Sequence, residues 1–150
     1  MPLRPVVLLV EDDPDDAFLL QDACKRLGHE EMLRVVRDGE EAIAYLLGQG
    51  AFADRLRFPL PRLILLDLKL PRISGLEVLD WRRGQGRLKN IPVIVLTASQ
   101  SDADIARAYE LGANSYLVKP VDSTAQLAMV KAACAYWIEL NRTPSSAPGA

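Results

Sequence analysis

The sequence predicts a doubly wound α/β domain built on a five-stranded parallel sheet with helices on both faces, and three observations carry that prediction. Four short runs, VVLLV (6–10), LILL (63–66), VIVL (93–96) and YLV (116–118), are apolar throughout and do not alternate with polar residues. Strands covered on both faces read this way, and that is the condition of a parallel sheet. Segments with helical punctuation separate the runs, and right-handed crossovers then send helices to both faces.

The first run ends on Glu11 and Asp12. Asp13 and Pro14 then form an N-cap and first-turn pair, and Gly28 closes the helix they open. LRVVR (33–37) is more mixed and suits an edge strand, and GEEAIAYLL (39–47) is the second helix. The connection 48–62, with two Gly and two Pro, is long for this fold class and predicts a surface loop of possible functional use. After the second apolar run, SGLEVLDWRR (74–83) opens with Ser74 and Glu77 at capping-box spacing. DADIARAYELG (102–112) ends on a glycine, and a last helix runs from about Asp122 to Leu140. Residues 1–142 thus make one domain, and TPSSAPGA (143–150) reads as a disordered tail with no room for an output domain.

Composition narrows the function. The 150-residue chain is 49% hydrophobic and 25% charged, with a net charge of −2 and no Lys/Arg block, which argues against nucleic acid as a partner. No apolar run approaches the length of a membrane span, and the N-terminal apolar stretch is too short for a secretory signal, so a cytoplasmic location is expected. Cys24 and Cys134 lack metal-ligand spacing and read as small apolar side chains, and His29 has no His or Cys partner.

The chemistry sits where the strands stop. An Asp after an apolar run commonly just begins a turn, so Asp67 alone decides nothing. Yet Glu11 and Asp12, Asp67, Thr97 and Lys119 each follow a different strand, and in a parallel sheet those ends share one edge, where ligands bind. Three carboxylates at one point repel one another; Lys119 offsets one charge and a divalent cation the other two. Hard oxygen ligands in a cramped site favour Mg²⁺. A carboxylate beside such a cation can act as a nucleophile towards a phosphoryl group, with Thr97 and Lys119 donating to its oxygens.

LVEDD, LLDLKLP, VLTAS and SYLVKP, in this order over roughly residues 5 to 140, resemble the response-regulator receiver domains of two-component signalling. The resemblance implies the strand order 2-1-3-4-5. It makes Asp67 the phosphoacceptor of a protein that takes part in its own phosphorylation and dephosphorylation without being an enzyme for a separate substrate. It makes Glu11, Asp12, Asp67 and the Lys69 backbone carbonyl the Mg²⁺ ligands, Thr97 and Tyr116 the switch pair, and Lys119 the phosphate-binding lysine. It also allows a cis Lys119–Pro120 bond, often found in the family. Glu11 departs from the family's more usual Asp, and a longer arm still suits a metal pocket through water. EDDPDDAFLL, the 48–62 loop, LTASQSDADIARAYELGANSYLVKPV and AYWIEL further resemble single-domain regulators paired with phytochrome histidine kinases.

Three rivals remain to be weighed. A phosphatase of the haloacid dehalogenase type needs a second Asp two residues after the nucleophile, where this chain has Lys69. A receiver-like module that is never phosphorylated would be expected to lose Asp67, Asp12 or Lys119, and all are present. A phosphorelay intermediate passing phosphate to a histidine phosphotransfer protein uses the same site and stays open. Two surfaces are candidates for partners. Leu20, Cys24 and Leu27 should face the core, leaving Phe18 with Gln21, Asp22 and Lys25 on a face suited to docking the kinase. On the last helix, Leu127, Val130, Cys134 and Trp137 form a stripe for the sheet, while Met129, Ala133, Tyr136 and Leu140 form a second that suits a homodimer through helix 4, strand 5 and helix 5.

Overall fold

The computed structural model describes residues 5–144. Five parallel strands, β1 (Val7–Val10), β2 (Leu33–Val36), β3 (Leu63–Leu66), β4 (Val93–Thr97) and β5 (Ser115–Val118), pair in the order β2-β1-β3-β4-β5. Helices α1 (Pro14–Arg26), α2 (Gly39–Leu47), α3 (Gly75–Arg83), α4 (Asp102–Glu110) and α5 (Ser123–Cys134) alternate with them. The predicted fold class and strand order are those observed.

Side chains alternate across each strand, and both faces are covered, which is why the runs are apolar at every position. Leu8, Val10, Ile64, Leu66, Val93 and Val95 pack with Tyr45, Leu46, Val78, Leu79 and Ala108 from α2, α3 and α4. Val7, Leu9, Leu63, Leu65, Ile94 and Leu96 pack with Ala17, Leu20, Ala23, Val130 and Cys134 from α1 and α5. Both cysteines are buried free thiols within this second layer, as their apolar reading predicts.

The helix starts follow their sequence signals. Asp13 accepts the Asp15 amide at 2.9 Å with Pro14 in the first turn, and the Ser74–Glu77 capping box is complete. At the other ends, Gly28 and Gly112 take the left-handed φ values of 77° and 103° that a helix exit requires. The last helix differs from its prediction: after Cys134 the chain widens into a π-helical stretch, Ala135–Leu140, closed by the Asn141 amide on the Tyr136 carbonyl at 2.7 Å. Met129 and Ala133, still in the regular helix, pack beside the inner layer, whereas Tyr136 and Leu140, in the π-helical stretch, are exposed. The second stripe is therefore split.

The 48–62 connection is a largely exposed surface loop, as expected, that buttresses α2. The Arg55 guanidinium donates to the carbonyls of Tyr45 (2.7 Å), Leu46 (2.8 Å) and Phe58 (3.1 Å), closing the C-terminal end of α2. The Tyr45 hydroxyl donates to the Pro59 carbonyl at 2.8 Å, and Phe52 and Phe58 pack on the Tyr45 ring. This loop leads into the start of β3, so it lies at the edge of the sheet opposite the strand ends that carry Asp67 and Lys119. Pro5 enters at that same far edge, and Thr143 and Pro144 line a small groove there with Pro61, Arg62 and Asn90–Pro92. Of the tail 143–150, residues 145–150 lie outside the described residues.

Candidate functional site

The strand ladder runs one residue past the strands and fixes the site. The Glu11 amide donates to the Val36 carbonyl (3.0 Å), the Asp67 amide to the Val10 carbonyl (3.1 Å), and the Lys119 amide to the Thr97 carbonyl (2.8 Å). Three side chains from distant parts of the sequence are thus set on one edge by backbone bonds. Gly75 brings the start of α3 against the same point: a Cβ there would lie 2.2 Å from the Asp67 carbonyl oxygen, so no other residue fits without displacing the Asp67 backbone.

Carboxylate oxygens of Glu11, Asp12 and Asp67 come within 4.8 Å of one another. Glu11 and Asp67 are buried, and Asp12 is exposed. The Lys119 ammonium donates to Glu11 Oε2 (2.9 Å), Asp16 Oδ2 (2.9 Å) and Asp67 Oδ2 (3.2 Å). Asp67 Oδ1 accepts the Lys69 amide at 3.2 Å.

Burial pushes the Glu11 carboxyl up to about 8, reinforced by its hydrogen bond to Asp67 and only partly opposed by Lys119. Burial alone would also raise Asp67, but the hydrogen bond from Glu11, the Lys119 charge and the Lys69 amide outweigh it and hold Asp67 below its ordinary value. The two shifts run in opposite directions, so Asp67 is the more readily ionised of the pair. Burial opposes the Lys119 charge, yet its bonds to Asp16 and Glu11 prevail and its pKa is raised. Lys119 therefore stays an ammonium. Three hard oxygen donors around a buried carboxyl that gives up its proton reluctantly fit a divalent cation, whose charge would replace that proton.

Thr97 is fully buried and its hydroxyl has no hydrogen-bond partner, at the C-terminal end of a strand whose other residues are all apolar. Buried polar atoms are rarely left so, and each one calls for an explanation such as a catalytic role or a ligand. Tyr116 pairs with Val95 in the sheet, and its hydroxyl donates to the Ser99 carbonyl at 3.0 Å. The Ser99 hydroxyl in turn donates to Asp104 Oδ2 at 2.6 Å, tying the loop after β4 to α4. The Lys119–Pro120 bond is trans, as are all peptide bonds among the described residues. A tertiary amide prefers trans only slightly, so a motif cannot fix the isomer.

Glu11, Asp12, Asp67, Lys69, Thr97 and Lys119 lie at this edge, Tyr116 lies within β5, and the proposed partner residues Phe18, Met129, Tyr136 and Leu140 lie on α1, α5 and the stretch after it; the sequence reading missed one residue beside the carboxylates. Asp16, whose carboxylate meets the Lys119 ammonium, has as its only sequence signal its place five residues after Glu11. Phe18, two residues on, is 64% exposed beside Gln21, Asp22, Lys25 and Leu33.

Comparison with known proteins agrees. The response regulator receiver domain family matches residues 7–131. The chain is 42% identical over 143 residues to the probable methanogenesis regulatory protein FilR2 of Methanothrix harundinacea (strain 6Ac), covering 95% of this chain and 89% of that protein. It is 39% identical over 141 residues to the response regulator Rcp1 of Synechocystis sp., covering 94% of each. The crystal structure of the Mn²⁺-bound form of Rcp1 matches with a TM-score of 0.85 over 95% of this chain and 100% of that one. The phosphorylated cyanobacterial phytochrome response regulator RcpA matches at 0.88, with 36% identity over 95% of this chain and 100% of that one. Strand order, acidic edge and sequence match thus agree, and the chain belongs to the response regulator receiver domain family.

Proposed function

We propose that Asp67 accepts a phosphoryl group from a partner histidine kinase in a Mg²⁺-dependent reaction. The observation that carries this is the Asp67 carboxylate, hydrogen-bonded to Lys119 at 3.2 Å within a carboxylate triad. An Asp67 oxygen attacks the phosphorus of a phosphohistidine. The P–N bond breaks, its electron pair stays on the imidazole nitrogen, and that nitrogen takes up a proton as the donor departs. Water later attacks the phosphorus, the bond to the Asp67 oxygen breaks, and carboxylate and inorganic phosphate return. Glu11, Asp12, Asp67 and the Lys69 carbonyl would hold the cation, which when bound would shield the phosphoryl oxygens. Lys119 donates to one phosphoryl oxygen, and the unpartnered Thr97 hydroxyl supplies a donor for another. Tyr116 and Thr97 report the change to the α4–β5–α5 face.

The kinase is of the phytochrome type. The likeness to RcpA supports this pairing, and the exposed Phe18 beside the acidic edge offers a docking point for the kinase. Output passes through protein contacts, including a homodimer of the α4–β5–α5 face. Asp67→Asn should abolish acid-labile phosphate incorporation from both a kinase and acetyl phosphate while the protein stays folded. Labelling at the unmodified rate would move the acceptor elsewhere.

A further inference from the structure

A lysine ammonium has three N–H donors, and Lys119 has three carboxylate partners. Two belong to the acid edge: Glu11 at 2.9 Å and Asp67 at 3.2 Å. The third, Asp16, is as close as Glu11 and closer than Asp67. It sits on α1, outside the group of carboxylates that meet within 4.8 Å. A cation bound by Glu11, Asp12 and Asp67 would draw on the two edge carboxylates and leave Asp16 as the partner still fully free to hold Lys119. A phosphoryl oxygen on Asp67 must then win the ammonium from Asp16. The Asp16 side chain is 27% exposed against 9% for Lys119, so the contact is partly shielded from water and losing it has a cost.

We propose that Asp16 is a positioning residue that competes with the phosphorylated site for Lys119, holding the ammonium towards α1 and lowering the affinity of the site for a phosphoryl group. This rests on the phosphoacceptor reading of Asp67 and adds a term to it: Asp16 sets how readily the occupied state forms. Releasing Lys119 shifts the balance towards that state, because the ammonium then has only site partners left.

The test is titration of the full chain with beryllium fluoride, a mimic of the phosphoryl group, at saturating Mg²⁺, with folding followed by thermal melting. Asp16→Asn keeps the shape of the side chain and removes its charge, and should tighten binding about two- to fivefold. Asp16→Ser, which is too short to reach Lys119, should move affinity the same way. Asp15→Asn removes a charge from the same helical turn without touching a Lys119 partner, and should leave affinity as it was. Unchanged or weaker binding in the Asp16 variants, or an equal shift in Asp15→Asn, would overturn the proposal. An unmodified protein that binds no beryllium fluoride would remove the Asp67 assignment itself, and the competition with it.

Discussion

Glu11 illustrates how one buried side chain couples the site to pH. Its proton is held to about 8 in the folded chain against an ordinary value of 4.5. The stabilisation from that proton is complete below pH 4.5 and is lost as pH rises through 8. Asp67 moves the opposite way; its contribution is present above its ordinary value of 3.8 and is lost only in acid, below this window. In chelator, the melting temperature should therefore fall between about pH 5 and 9, a decline that Glu11→Gln should flatten. With Mg²⁺ present, protection should instead grow up to about pH 8, since the cation displaces the proton, and Glu11→Gln should lose much of it. Identical pH slopes for the two proteins in thermal melts would show that Glu11 does not carry the proton. Residues that close strands were legible in the sequence because strand ends in a parallel sheet converge by construction. Asp16 was not: its partner Lys119 lies 103 positions away, and only the folded sheet brings the start of α1 and the residue after β5 to the same edge. Arg82 escaped for the same reason. It is 3% exposed, and its guanidinium holds the carbonyls of Lys89, Ile91 and Gly112, a contact that no local pattern announces.

At the scale of elements, the 48–62 loop was read as a surface loop of possible function, and the structure makes it the stop of α2. Arg55 satisfies two carbonyls at that helix end and one in the loop itself. Removing the guanidinium leaves those oxygens to find water or strain, so Arg55→Ala should destabilise the domain by about 1–3 kcal/mol in urea unfolding. Because the loop lies at the far edge, acetyl phosphate labelling of the folded variant should keep its rate; slowed labelling with unchanged stability would give the loop a role in the chemistry. The helix boundaries show what local signals can and cannot do. Caps formed by Asp13, Asp38, Ser74, Ser101 and Asp122 all accept a backbone amide in the next turn, and such bonds depend only on neighbours in the chain. The π-helical stretch after Cys134 is invisible to the same reading, since AYWIEL is compatible with an ordinary helix. Its wider winding is a matter of how Trp137 and Ile138 reach the layer beneath.

For the whole molecule, the two layers of core are unequal at the β5 side. All four residues of β5 are only half-buried, and Tyr109, Tyr136 and Leu140 stand exposed on the flanking helices. Tyr136 at 51% and Leu140 at 71% exposure keep most of their area for the proposed interface with a second copy. Tyr136→Glu with Leu140→Glu should give a folded monomer at concentrations where the unmodified chain sediments as a dimer. A monomeric unmodified chain at micromolar concentration, with and without beryllium fluoride, would remove the dimer. Both stripes of the last helix were drawn from sequence with a single period; all four residues of the inner one, Leu127, Val130, Cys134 and Trp137, pack in the layer beneath, whereas the outer one is divided between the packed Met129 and Ala133 and the exposed Tyr136 and Leu140.

The positions of Pro5 and Pro144 have a practical meaning for anyone handling the protein. Both lie at the edge of the sheet where strands begin, while the carboxylates and Lys119 lie where strands end. An affinity handle, a fluorophore or a rigid tether to a sensor chip joined at either point would leave from the opposite pole to the chemistry. The same chain could then be immobilised and interrogated with kinases, cations or phosphoryl mimics without its attachment standing in their path.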